Sequence, residues 1–247
     1  YHSVNKHLNN KYFREAIIKG VDRKDIFIKR LKNQGTVLSG PWFKSSPKSC
    51  LTIFPHEYKK NANEIIINNI PEYTLEQKGS KKILKQNGKR VSLTIIYPKE
   101  TTTVERDAIG AIIKDIKKLG IEVNVKTITK ISWNEILKGN HWDLAYTTET
   151  QDVASSVAQQ YECNGNQNYS GYCNENLDES FEKEKKQPLD RKISCDIHDI
   201  LHNDYVSMFL WNSNKMYAFN RKILYENSVE TNSYDFFSNP ENWHLKK

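Results

Sequence analysis

The spacing of apolar residues at the start of the chain predicts two consecutive helices. Phe13, Ile17 and Val21 recur at four-residue steps, so they share one face of a helix within residues 11–21. Asp22 then offers a side chain that can N-cap a second short helix. We therefore predict a helical pair at the beginning of the fold.

The following stretch has a less regular pattern. Residues 32–60 carry glycine, proline and serine with little periodicity, which predicts a long connection. Residues 61–70 contain a run of isoleucines that suits either a strand or a helix. Residues 75–86 are predicted to form a short helix, with Gly88 at the position where helices commonly end.

The clearest pattern lies in the middle of the chain, where strand and helix periodicities alternate. The segment "RVSLTIIYP" is predicted to be a strand ended by Pro98. Thr103 is a candidate N-cap for a helix that ends at Gly120 and has an apolar stripe made of Val104, Ala108, Ile112, Ile116 and Leu119. A strand, a helix and a strand are then predicted for "IEVNVKTI", "SWNEILKG" and "HWDLAYT". This order is typical of an α/β layer whose strands lie side by side.

The last third of the chain predicts a loop, two helices and two strands. Residues 152–175 are rich in loop-forming residues, and helices are predicted near 177–186 and 189–203. The segments "YVSMFLW" and "KMYAFN" are predicted to be strands joined by the turn "NSN".

Composition and charge exclude some classes of protein. The chain has 247 residues, of which 37% are hydrophobic, enough for one large domain or two lobes. No run approaches the roughly 20 apolar residues that a membrane-spanning helix needs. The net charge of +7 would suit a nucleic-acid-binding protein, but the basic residues are scattered among apolar positions. The pattern therefore favours solvated faces over a phosphate-binding stripe, and no nucleic-acid partner is predicted.

The four cysteines indicate an oxidising location. Cys163 and Cys173 enclose a loop rich in Asn, Gly and Ser that has little core of its own. A disulfide between them would stabilise this loop by lowering the entropy of the unfolded chain. We predict that bond, and with it export from the cytoplasm. Cys50 and Cys195 can be free or paired.

Motifs of catalysis and metal binding are weak or absent in the sequence. His198 and His202 are four residues apart, a spacing that suits two metal ligands on one helix face, but an exposed face rich in His and Asp is the favoured interpretation. The sequence contains no GxSxG, GxxxxGK[ST] or GxGxxG pattern. We predict no catalytic residue, no metal site and no cofactor.

Several segments resemble, in the order in which they occur, the signature of one protein family. In the opening unit the signature positions are Arg14, Ala16, Ile17, Val21, Asp22, Arg23 and Ile26. The later segments are "AIIKDIKKLGIEVNVKTI", "WNEILKGNHWDLAY", "NYSGYCNENLDESF" with Asp178, and "YVSMFLWNSNKMYAFN". Together they resemble the extracellular solute-binding proteins of family 5, the peptide-, nickel- and sugar-binding subunits of ABC importers.

The resemblance covers only the second half of a family member. It implies an α/β fold of the periplasmic-binding-protein type II class, with residues 1–205 as the distal, C-terminal lobe and residues 206–247 as return strands to a first lobe that precedes Tyr1. Without that lobe, Val206, Met208, Leu210 and Tyr217 are expected to be unusually exposed.

The resemblance also implies a ligand-binding residue. Family members that bind peptides pair an aspartate of this lobe with the free amino group of the ligand, a short distance after the aromatic-Asp-hydrophobic strand. Asp152 stands at the matching position, with Glu149 and Tyr146 as further candidate ligand-binding residues, whereas Asp143 is expected to be structural. Asp152 can equally be the N-cap of a helix that starts at Val153.

The function implied is that of a solute-binding component of an ABC importer. The expected partners are a peptide or another small solute, the ABC permease subunits and the first lobe. The expected location is the periplasm or the outer face of the cytoplasmic membrane, with peripheral attachment through a lipid anchor. The alternatives are an α/β enzyme domain whose active site carries no familiar motif, and a basic protein that binds nucleic acid or acidic surfaces.

Overall fold

The structure is a computed structural model that describes residues 1–2, 5–149 and 154–212, with helices and strands in a mixed α/β order. The helices are α1 Lys11–Gly20, α2 Arg23–Leu31, α3 Asn63–Asn69, α4 Thr103–Lys118, α5 Lys130–Lys138, α6 Ala158–Tyr161, α7 Glu175–Lys186 and α8 Arg191–Asn203. The strands are β1 Thr36–Val37, β2 Tyr73–Lys78, β3 Lys81–Gln86, β4 Lys89–Arg90, β5 Ser92–Pro98, β6 Glu122–Ile128, β7 Leu144–Ala145 and β8 Trp211–Asn212.

A parallel three-stranded sheet lies at the centre, in the order β6-β5-β7, and confirms the predicted α/β layer. Leu93 and Ile95 on β5 are buried in the main apolar cluster. Ile96, which points to the other face, packs with Leu137 and Trp142 beside α5. Both faces of the middle strand therefore bury apolar side chains, as is common in parallel sheets.

The helical pair at the start of the chain is also confirmed. The side chain of Asp22 caps α2 by accepting a hydrogen bond from the Asp25 amide at 2.9 Å. Two arginines of the opening signature prove to be structural. The Arg14 guanidinium donates to the carbonyls of Leu8 and Asp204, and burial lowers the pKa of Arg23 to about 10.

The N-cap of helix α4 lies one residue before the predicted position, Thr103. The N-cap is Thr102, whose hydroxyl accepts from the Glu105 amide at 3.3 Å while the Glu105 carboxylate accepts from the Thr102 amide at 2.9 Å. The capping box wins because this pairing satisfies two helix-end amides at once. Val104, predicted to lie in the apolar stripe, is 51% exposed, so the stripe begins at Ala108.

The predicted helix over residues 75–86 is wrong, because this segment forms the antiparallel hairpin of β2 and β3. Its residues alternate between a face packed on the core, which includes Tyr73 and Leu84, and an outward face. The two glycines sit in turns: Gly79 has a φ of 60° and Gly88 a φ of 76°. Such left-handed positions favour glycine, so Gly88 ends a strand here and not a helix. Residues 61–70, left open between strand and helix, contain helix α3.

The end of the described chain also departs from the prediction. Of the segment "YVSMFLW", only Trp211 lies in a strand, which pairs antiparallel with β1, and "KMYAFN" lies outside the described residues. Val206 is only 1% exposed and packs in a second apolar cluster, so its expected exposure is wrong. Met208 and Leu210 are half-buried, and Tyr217 lies outside the described residues. The division at residue 206 stays a prediction.

Two disulfides cross-link the fold. The Cys163–Cys173 bond is present with an S–S distance of 2.04 Å, which confirms the prediction for the loop between them. Cys50 and Cys195, left undecided by the sequence, form a second bond across 145 residues of chain. No helix among the described residues is long and apolar enough to cross a membrane.

Candidate functional site

The carboxyl ends of the three parallel strands form one edge of the central sheet. At this edge β5 ends at Pro98, β6 at Ile128 and β7 at Ala145. In open α/β sheets, ligands bind in the crevice outside the carboxyl ends of the strands. Tyr146 and Glu149 both follow β7 at this edge. Asp152 lies outside the described residues.

Tyr146 is held firmly at this edge. Its amide donates to the Ile96 carbonyl at 2.9 Å, and its hydroxyl donates to Glu105 Oε1 at 3.3 Å. Burial, together with the charge of Glu105, raises the pKa of Tyr146 to about 12. The phenol is therefore neutral at physiological pH and can offer its oxygen to a ligand as a hydrogen-bond acceptor.

Glu149 lies a few residues further on and is exposed. Its carboxylate accepts a hydrogen bond from Gln160 Nε2, on α6, at 3.3 Å. The nearby Tyr161 is half-buried, and the desolvation of its hydroxyl, with a contribution from the Glu149 charge, raises the pKa of Tyr161 to about 12. The segment after β7 thus keeps an acidic group near the surface while the phenols around it stay neutral.

The residues that immediately follow 150–153 are tied to the protein interior. The Ser155 carbonyl accepts from the indole of Trp42 at 3.0 Å. The Ser156 hydroxyl donates to Glu184 Oε2 at 2.5 Å, and Glu184 Oε1 accepts from Lys48 Nζ at 2.7 Å. The side chains of Lys48 and Glu184 are only 2% and 3% exposed.

Sequence reasoning missed this buried ion pair. Lys48 stands in a loop of serines and prolines, and Glu184 stands in a helix with charges on several sides. Neither position differs, in sequence, from an ordinary exposed charge. Only the path of the connection over residues 32–60 brings the two together, so no local signal could have found them.

Two aspartates of the resemblance have structural partners. Asp143 accepts hydrogen bonds from the Thr94 amide and from Asn5 Nδ2, each at 2.6 Å, as its structural interpretation requires. Asp178 accepts from the Cys163 amide at 3.1 Å, next to the disulfide loop. Asp143 thus fixes the backbone beside β5, and Asp178 fixes the backbone at the start of the disulfide loop.

The histidines of α8 do not lie on an exposed face, which corrects the favoured interpretation. His198 is fully buried and His202 is half-buried against His56, with 3.6 Å between the two ring centroids. A Cβ atom on Gly40 would lie 2.3 Å from His198 Nε2, so the ring packs directly on that glycine. In the part of the chain that the structure describes, no three His, Cys, Asp or Glu side chains are placed to hold a metal ion.

Burial makes this cluster sensitive to acid. It lowers the pKa of His198 to about 4, against a smaller raising effect of the Ser39 carbonyl, and the charge of His202 lowers it further. The pKa of His56 is lowered to about 3, mainly by burial and then by His202 and Arg23. Both rings are therefore neutral in the folded protein. Protonation would leave a charged ring buried without hydration, which destabilises the fold.

We expect the free energy of unfolding to fall as the pH drops from about 6.5 toward 4. Between these values the unfolded chain binds a proton at His198 that the folded chain excludes, so folding is opposed by up to about 3 kcal/mol. Urea unfolding at several pH values, compared between the wild type and His198→Gln, measures this contribution.

The matched control for this experiment is His141→Gln, because His141 is exposed. Its pH dependence should equal that of the wild type. An unchanged pH dependence in His198→Gln would show that His198 does not cause the acid sensitivity.

Residues 2–171 match the family model described as bacterial extracellular solute-binding proteins, family 5 Middle. No curated protein matches the sequence.

Solved structures of the same fold are numerous. The oligopeptide-binding protein AppA from Bacillus subtilis, in complex with a nonapeptide, is similar with a TM-score of 0.76 and 19% identity, over 100% of this chain and 50% of that one. A nickel ABC transporter structure from Bacillus halodurans gives a TM-score of 0.76 and 16% identity, over 95% of this chain and 49% of that one.

A periplasmic oligopeptide-binding protein from Thermotoga maritima gives a TM-score of 0.69 and 21% identity, over 86% of this chain and 44% of that one. The chain thus spans about half the length of these proteins, and at such identities the likeness shows the fold alone. The matching family model covers residues 2–171, which is most of the chain. The chain therefore belongs to the bacterial extracellular solute-binding proteins of family 5.

Proposed function

We propose that this chain is one lobe of a solute-binding component of an ABC importer. Together with a second lobe it would enclose a peptide or a similar small solute. The observation that carries the proposal is the carboxyl edge of the parallel sheet, where Tyr146 and Glu149 lead into the segment of Asp152. Neighbours of the same fold include a protein with a bound nonapeptide. The two disulfides support an oxidising location, such as the periplasm or the outer face of the cytoplasmic membrane.

In this proposal Asp152 pairs with the ammonium group of the ligand. A carboxylate in a closing cleft can form a charge-assisted hydrogen bond with an ammonium, which is stronger than one between neutral groups. The hydrogen bonds of Ser155 with Trp42 and of Ser156 with Glu184 support it, because they hold the chain at positions that follow Asp152 by only three and four residues. The alternative role of Asp152, as a helix N-cap, makes a different prediction for binding.

The experiment is calorimetry on a protein that contains both lobes, with tetra-alanine and its N-acetylated form as probes. Asp152→Ala is expected to weaken binding of the free peptide by roughly 2–5 kcal/mol, because the ligand ammonium would be buried without a partner. Loss of a helix cap alone would cost only about 1 kcal/mol of stability. Acetylation should weaken binding to the wild type and have little further effect on Asp152→Ala.

The matched control is Asp196→Ala, since Asp196 is an exposed aspartate on α8. It should bind both probes as the wild type does. If Asp152→Ala binds tetra-alanine as tightly as the wild type, Asp152 is only a cap. If the wild type binds neither probe, the proposed ligand class is wrong.

A further inference from the structure

One small sheet carries most of the excess positive charge of the protein. From Glu76 to Arg90 the chain has six basic residues and one acidic residue, a net charge of +5 against +7 for all 247 residues. This segment forms β2, β3 and β4, which make a separate antiparallel sheet. The sequence suggests scattered charges, and the register of this sheet decides where they lie.

The register gathers four basic side chains on the outward face. Side chains alternate between the two faces of a strand. Tyr73 and Leu84 are buried and define the inner face. The opposite face carries the residues that we call the basic face: Lys78, Lys81, Lys85 and Arg90.

Like charges stand directly opposite each other on this face. Lys78 is the cross-strand partner of Lys81, and Lys85 is the partner of Arg90. Like charges in directly opposite positions destabilise a sheet. The second pair is relieved, because Glu76 forms an ion pair with Lys85 and Glu122 lies 3.4 Å from Arg90.

The first pair is not relieved in this way. Lys78 and Lys81 are exposed, and among the described residues neither forms an ion pair. They flank the turn at Gly79, and a Cβ atom added to Gly79 would meet nothing within 4 Å. This end of the hairpin is therefore an open, strongly positive tip whose internal repulsion an external anion would remove.

The shape and composition of the basic face select among anionic partners. The face is a strand surface and not a pocket, so it suits an extended anionic surface better than a single small anion. Residues 74–90 contain no aromatic side chain, whereas proteins that bind single-stranded nucleic acid on a sheet stack bases on aromatic rings. Ile83 lies on this face among the cations and does not belong to the apolar core clusters.

We propose that the basic face docks on the surface of a bilayer that contains anionic phospholipids. Basic residues close to such a surface each strengthen binding about fivefold, and the effect extends over about one Debye length. Lys78 and Lys81 make the first contact through the open tip, and Ile83 reaches the headgroup region between them and Arg90. This proposal is independent of the identity of the transported solute.

Vesicle sedimentation tests the proposal on the chain as it stands. The probes are vesicles of phosphatidylcholine alone and of an equal mixture of phosphatidylcholine and phosphatidylglycerol. The wild type is expected to bind only the mixed vesicles, and to be released by about 0.5 M salt, where the Debye length is only a few ångströms. Lys78→Gln/Lys81→Gln should bind about 20-fold more weakly.

The matched control is Lys183→Gln/Lys186→Gln, which removes the same charge from two exposed positions on α7. It should bind within about twofold of the wild type if the binding is local and not a response to net charge. Circular dichroism checks that both variants are folded. Absence of binding by the wild type, or equal losses in the two variants, would overturn the proposal. Binding to duplex DNA that exceeds binding to the mixed vesicles would overturn it too and would assign the face to nucleic acid.

Discussion

Cys50→Ser/Cys195→Ser is expected to lower the free energy of unfolding by about 5 kcal/mol. The bond between these residues closes 145 residues of chain, and the entropy that a cross-link removes from the unfolded state grows with the length of the closed loop. The bond also fastens the otherwise aperiodic connection after α2 to helix α8. Denaturant unfolding of the oxidised wild type and of the variant measures the difference.

The second disulfide provides an internal comparison. Cys163→Ser/Cys173→Ser opens a loop with a separation of only 10 residues, so its expected loss is about 3 kcal/mol by the same argument. A larger loss for Cys163→Ser/Cys173→Ser than for Cys50→Ser/Cys195→Ser would contradict the entropic explanation. Peptide mapping without reduction should recover each cysteine pair in one linked fragment.

Lys48→Met is expected to destabilise the fold by about 3–5 kcal/mol, because it leaves the buried carboxylate of Glu184 without its cation. The Ser156 hydroxyl remains as a hydrogen-bond donor but carries no charge to neutralise it. Urea unfolding of the wild type and of the variant at neutral pH measures the difference.

Two further variants separate charge from packing at this position. Lys48→Met/Glu184→Met removes both charges and should recover most of the lost stability, since an apolar pair of similar volume is often neutral in a buried site. Lys44→Met changes an exposed lysine of the same connection and should stay within about 0.5 kcal/mol of the wild type. If Lys48→Met is as stable as Lys44→Met, the pair is not buried in solution.

The stability of this pair also bears on the proposed site. Glu184 joins Lys48 on one side to Ser156 on the other, and Ser156 follows closely after the segment of Asp152. A loosened pair would therefore free the backbone that positions the proposed ligand carboxylate. Positioning errors at such sites weaken binding even when every group that touches the ligand is intact.

Some features of the site could be inferred from local sequence, and others could not. The position of Tyr146 and Glu149 after a parallel strand follows from the alternating pattern that ends in "WDLAYT". The hydrogen bond from Tyr146 to Glu105 does not, because it joins residues 41 positions apart. The assignment of Asp152 comes from the resemblance and stays a prediction.

The sequence by itself determined the elements whose signals are local. The sequence correctly predicts the capping side chain of Asp22 and the alternation of strand and helix from β5 to β7. Helices and strands each have a characteristic period of apolar residues, which is visible in the local sequence. The disulfide between Cys163 and Cys173 could also be predicted from the sequence, because the loop between them is short and has no core.

Tertiary structure decided the features that depend on where distant segments meet. The sequence of the β2–β3 hairpin predicts a helix wrongly, since its apolar inner face becomes evident only when it packs on the core. His198 became buried because the connection that carries Gly40 covers α8. The pairing of Lys48 with Glu184 has the same origin. The local sequence does not distinguish a buried charged residue from an exposed one, and the path of an aperiodic connection depends on the surfaces against which it packs.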